Sequence, residues 1–95
     1  MDPQFTWDRD KAAANLRKHG VSFEEAVTAF RDPLARIHDD LHHSHEEHRE
    51  ILVGHSARGR LLLVSFTERG RTVRLISARR ATRNERQDYQ EGTRL

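Results

Sequence analysis

The sequence predicts an α+β fold in the order β-α-α-β-β-β-β-α: an antiparallel sheet with two N-terminal helices and one C-terminal helix. Three observations predict it. Residues 8–32 hold two capped segments with apolar residues at helical spacing. Residues 50–77 hold aliphatic and β-branched runs separated by glycine turns. Residues 82–91 open with a capping box and read as a short helix.

Phe5-Thr6-Trp7 is a short extended lead-in, and Asp8 stands where a helix N-cap belongs. Arg9–His19 follows as the first helix, with Ala12, Ala13 and Leu16 at helical spacing, Lys18 and His19 in the last turn, and Gly20 as the left-handed stop. Ser22 and Glu25 have capping-box spacing. Phe23, Ala26, Val27 and Phe30 then share a face until Asp32-Pro33 ends the second helix. Leu34–Ile37 is apolar enough for a strand, and residues 39–48 are a polar loop. A meander of strands is then predicted at residues 50–56, 60–67 and 71–77. Its turns fall at Ala57-Arg58-Gly59 and Glu68-Arg69-Gly70. Thr82 and Glu85 start the last helix, whose sparse apolar content, essentially Tyr89, predicts weak docking.

Composition narrows the class. Ninety-five residues make one domain, 1–95, with a thin core, because 34% of the chain is charged and 35% hydrophobic. No cysteine is present, so disulfides and thiolate metal sites are excluded. No signal-peptide h-region or membrane-length apolar run occurs, and a cytoplasmic location is expected. The net charge of +2 conceals an asymmetry: residues 1–48 carry net −4, whereas residues 49–95 carry 11 Arg, no Lys and net +6. Guanidinium groups bind phosphate as a fork and stack on bases, so the second half suits a nucleic-acid partner or a solvated basic surface.

Several stretches coincide with one family. FTWDRDKAAANLRKHGVSFEEA at 5–26, Phe30-Arg31-Asp32-Pro33, Gly54-His55-Ser56, Phe66-Thr67-Glu68-Arg69-Gly70 and ISARRATRNERQDY at 76–89 occur in the family's order over nearly the whole chain. On these motifs the chain resembles the BrnT toxins, ribonucleases with a RelE-like fold. The resemblance implies the toxin of a type II toxin-antitoxin system, an endoribonuclease that cuts RNA without metal or cofactor and inhibits translation and growth. It also implies a cognate BrnA-like antitoxin, a DNA-binding dimer holding two toxins in a 2:2 complex. That complex would repress its own promoter, with operator DNA reached only through the antitoxin. The loop 39–48 departs from the family pattern in its histidine content.

RNA cleavage without metal needs a base for the 2′-hydroxyl, positive charge on the phosphate and an acid for the leaving oxygen. Arg79, beside the start of the last helix, is the first choice for the phosphate, and Arg69 is the second. Glu68 is a base or the residue that holds an arginine. Lys18 and His19, ending the first helix, are alternatives as base, acid or phosphate ligand, or simply cap it. The expected catalytic set is Lys18, Glu68, Arg69 and Arg79. The expected RNA-binding set is Trp7, His19, Arg71, Arg74, Arg80 and Arg83, although a lone Trp before a helix is more often core, and Arg80, Arg83 and Arg86 read as an RNA track or antitoxin surface. Arg71 and Arg74, at i and i+3 on one strand, lie on opposite faces, so at most one joins Arg69.

Two other classes compete. In one, the arginines neutralise phosphates in a non-catalytic nucleic-acid-binding or co-repressor module. In the other, His38, His42, His43, His45 and His48 hold zinc with Asp39 or Glu46. A single crowded loop without a distant partner motif is a poor zinc frame, so no metal site is assigned.

Overall fold

The structure is a computed structural model describing residues 3–43 and 47–92. Its elements are β1 (Gln4–Thr6), α1 (Arg9–His19), α2 (Phe23–Ala29), β2 (Arg36–Asp39), β3 (Glu50–His55), β4 (Leu61–Arg69), β5 (Thr72–Arg80) and α3 (Arg83–Gly92).

Local chemistry sets the helix ends. The Asp8 carboxylate accepts from the Asp10 and Lys11 amides at 2.7 and 3.2 Å, and Gly20, at φ 69°, donates its N–H to the Leu16 carbonyl. The Ser22 hydroxyl accepts from the Glu25 amide at 3.0 Å, but Glu25 does not complete a capping box there. Its buried carboxylate turns into the fold, accepting from Ser56 Oγ at 2.8 Å and from the Arg60 guanidinium, which also donates to the Gly20 carbonyl. The Arg60 fork, then Ser56 and the nearby Arg58, hold the Glu25 carboxyl below its ordinary range against the opposing effect of burial.

The sheet order is β1-β5-β4-β3-β2. β2 to β5 form an antiparallel meander, but β1 joins the edge of β5 in parallel, with Phe5 opposite Val73. The sheet is therefore mixed, not wholly antiparallel as expected. The two N-terminal helices intervene between β1 and the meander, which lets the lead-in run alongside the last strand instead of hairpinning onto β2.

Strand bounds also differ from expectation. Leu34 and Ala35 are tied back to Asp32 in a turn, so β2 starts at Arg36. β4 runs on to Arg69 and β5 to Arg80, which moves the hairpin turn to Gly70-Arg71 and places Arg69 and Arg79 inside strands. Between the pairs Ser65–Ser77 and Phe66–Leu75, Ile76 is one extra residue on β5, a bulge.

One face of the sheet carries α1 and α2. Beneath them Phe23, Leu52, Leu62, Val64, Phe66 and Leu75 are at most 1% exposed. Phe5, Phe30 and Phe66 follow edge to face at centroid distances of 4.9 and 5.1 Å. Gly54 is required where β3 passes the end of α2, since a Cβ would stand 2.9 Å from the Ala35 Cβ and 3.1 Å from the Ala29 carbonyl oxygen. The inward face of α1 is only partly the one its apolar spacing suggested: Ala12 packs against the core, but Leu16 is 51% exposed and Asn15 is buried. The Asn15 amide donates to the Val21 and Ala78 carbonyls at 2.9 and 2.8 Å and accepts from the Ala78 N–H at 3.0 Å, stitching α1 to β5.

Among the described residues the helix on the other face is α3. Tyr89 is buried against Leu61, Ala81, Val53 and Leu63, and its hydroxyl donates to the Leu34 carbonyl at 3.0 Å. Arg36 lies 5.3 Å from the Tyr89 ring centroid. One aromatic side chain thus docks the helix. Among the described residues no helix is long and apolar enough to cross a membrane.

Candidate functional site

Side-chain alternation decides which groups share a face. On β4, Leu61, Leu63, Ser65, Thr67 and Arg69 point away from α1 and α2. Their cross-strand partners on β5, namely Arg79, Ser77, Arg74 and Thr72, point the same way. Where α3 does not reach, this face is open, and a cleft of about 260 Å³ lies on it. Ile51, Leu63 and Ile76 line it with apolar surface and Ser65 and Ser77 with hydroxyls. Arg49, Arg79, Asp40 and His43 add the charged and titratable groups. The bulge matters here, because the extra residue turns Ile76 into the cleft while Leu75 stays in the core.

Arg79 and Arg69 on this face are each held by a carboxylate. Arg79 makes a bidentate pair with Glu85, Nη1 to Oε1 at 2.7 Å and Nη2 to Oε2 at 2.8 Å. The same Glu85 closes the α3 capping box, its Oε1 accepting from the Thr82 amide at 2.8 Å while Thr82 Oγ1 accepts from the Glu85 amide at 3.2 Å. The Arg79 fork, with help from the cap, holds the Glu85 carboxyl down at about 2 against the opposing effect of burial. An anion arriving at the Arg79 fork would have to share it with Glu85 or displace Glu85. Farther along the face Arg69 Nε donates to Glu47 at 2.7 Å, and the Arg69 guanidinium lowers the Glu47 pKa, with Arg49 and Arg74 adding to the effect.

The residues predicted from sequence fall into two groups. Arg69, Arg74 and Arg79 share the open face, and Arg83 begins α3 on the same side of the sheet. Arg71 is exposed in the turn before β5. The others do not join them. Lys18 and His19 end α1 on the opposite face, and Glu68, register partner of Val73, and Arg80, register partner of Leu62, also point to that side. Trp7 packs against the core, edge to face with Phe23 at 5.9 Å. Arg49, Ser65, Ser77 and the pair Asp40–His43 were missed as site residues. His43 appeared only among metal ligands, because the polar loop alone shows no register with the strands.

Two members of the rival zinc set, His45 and Glu46, lie outside the described residues. Among the described residues Asp39, His48 and Glu50 have ligand atoms within 4.8 Å of one another, with His48 Nε2 3.0 Å from Asp39. Glu50 shares the Leu52 side of β3, so this exposed group belongs to the face away from the cleft.

Fold and cleft together define a class: a small α+β protein with an arginine-lined sheet face suited to a polyanion. The family model described as ribonuclease toxin, BrnT, of type II toxin-antitoxin system matches residues 7–85. The chain belongs to the BrnT family, and as a type II toxin it implies an antitoxin partner. A 1.1 Å crystal structure of the Brucella abortus ribonuclease toxin BrnT is similar in fold. It has a TM-score of 0.66 and 21% identity, covering 85% of this chain and 99% of that one. No curated protein matches the sequence.

Proposed function

We propose that the chain, as one toxin domain over 1–95, is a metal-independent endoribonuclease acting at the cleft on the open sheet face. The observation that carries this reading is the placement of Arg79 and Arg49 on one small cleft with two serine hydroxyls, with Arg74 and Arg69 continuing the cationic face beyond it. Fixed guanidinium groups supply the positive charge that a metal would otherwise bring to a phosphate gaining charge in the transition state. Arg79 is the phosphate ligand at the scissile position, held in place by Glu85, and Arg69, Arg74 and Arg83 track the RNA backbone. Phosphate contacts of this kind carry no base information. The partner we propose is a BrnA-like DNA-binding antitoxin dimer holding two toxins in a cytoplasmic 2:2 complex that represses its own promoter.

The test is incubation of the purified chain with RNA in EDTA. Cleavage is expected to persist in the chelator and to fall ~100- to 1,000-fold in Arg79→Ala. RNA bound in a salt-sensitive way but left intact would identify a non-catalytic module instead. Activity lost in EDTA and restored by zinc would overturn the metal-free chemistry.

A further inference from the structure

The loop between β2 and β3 brings a histidine and a carboxylate to the rim of the cleft. The Asp40 N–H donates to the Arg49 carbonyl at 2.9 Å, continuing the β2–β3 pairing by one step and fixing Asp40 to the end of the sheet. Its side chain is 11% exposed, whereas that of His43 is 65% exposed. His43 Nδ1 lies 3.2 and 3.1 Å from the two Asp40 oxygens. Burial opposes ionisation of Asp40, but His43 and the His42 and His43 amides outweigh it and keep the carboxyl below its ordinary value. A carboxylate seated under a histidine fixes its tautomer and ring orientation and leaves Nε2 as the position that exchanges protons. Both residues line the cleft that holds Arg79, Ser77 and Arg49.

We propose that His43 is the general base of RNA cleavage and Asp40 the residue that positions it. This rests on reading the cleft as the ribonuclease site. Arginines stay protonated, serine hydroxyls are poor bases, and the Asp40 carboxylate, held below its ordinary range by His43 and the His42 and His43 amides, is a weak one, so among the described residues lining the cleft the imidazole is the group best suited to accept the proton. Lys18, His19 and Glu68, the bases suggested by sequence, belong to the opposite side of the sheet.

His43 Nε2 takes the proton of the 2′-hydroxyl. The O2′–P bond forms as the P–O5′ bond breaks, while the Arg79 and Arg49 guanidinium groups face the charged phosphate oxygens. The leaving O5′ takes a proton from water, and the resulting hydroxide is neutralised by the proton that His43 releases. The products are a 2′,3′-cyclic phosphate and a 5′-hydroxyl end.

His43→Ala is expected to lower kcat ~100- to 10,000-fold with KM for RNA nearly unchanged. Added imidazole should restore part of the rate, which a merely structural role would not allow. His43→Gln, close in size but unable to take the proton, should be as slow while unfolding at the wild-type midpoint. Asp40→Asn should lower kcat at constant KM without rescue by imidazole. Wild-type kcat in His43→Ala or His43→Gln, alongside loss of cleavage in Arg79→Ala, would overturn the proposal and leave the ribonuclease reading standing. A wild-type chain that binds RNA and leaves it uncut would overturn both.

Discussion

On the side of the sheet under α1 and α2, Leu62, Val64 and Phe66 are fully buried, while the alternating residues Leu63 and Ser65 of the same strand line an open cleft. The same division runs along β5, where Val73, Leu75 and Ala78 join the core and Arg74, Ser77 and Arg79 belong to the other side. One strand pair therefore serves two purposes through the two-residue period of its side chains. The covered face excludes water and supplies stability. The open face leaves Arg69 and Arg79 partly exposed, and their ion pairs with Glu47 and Glu85 set their positions.

That contrast can be broken from either side. Phe66→Ala should destabilise the fold by about 3–5 kcal/mol, read from denaturant unfolding, because it removes a fully buried ring. Arg79→Ala should cost no more than about 1 kcal/mol on the same measurement, since its ion pair is partly exposed. Should Arg79→Ala unfold the chain as readily as Phe66→Ala, the open face would be structural and the division false. Asn15→Ala tests the seam between α1 and β5. Loss of its bonds to Ala78 and Val21 leaves buried backbone groups unpaired, and unfolding free energy should fall by about 1–3 kcal/mol.

The smallest effect sharpens the open face itself. The folded pKa of Glu85, about 2, lies below its ordinary 4.5. Its pairing therefore contributes fully above 4.5 and is lost as pH falls through about 2. The contribution is about 1 kcal/mol after solvent screening. Wild type and Glu85→Gln should differ in unfolding midpoint above that window and converge at its acid end. Equal midpoints at every pH would show that Arg79 is not held by Glu85 in solution.

Local signals were legible where a residue acts on its own backbone neighbourhood. Asp8, Gly20 and Ser22 mark helix ends by hydrogen bonds that span only two to four residues. Thr82 and Glu85 do the same for α3, and the sequence reading extended no further than the cap. The second partner of Glu85, Arg79, comes from the preceding strand, and Glu25, in an identical motif, turns instead to Arg60 and Ser56. Motif spacing could not tell these outcomes apart, because each carboxylate's final partner depends on which strand end the sheet brings beside it.

By itself the sequence determined the α+β class, the family and the concentration of arginine in the second half. The class and the arginine concentration follow from composition, period and caps, and the family from motif resemblance, all read along the chain. Only the tertiary structure decided the parallel placement of β1 and the extension of β4 and β5, which carries Arg69 and Arg79 onto one face. It also separated Lys18, His19 and Glu68 from that face and brought Asp40, His43 and Arg49 to it. The physical reason is register: a strand's side chains choose a face only once its pairing and its bulges are fixed, and those depend on contacts between residues far apart in sequence.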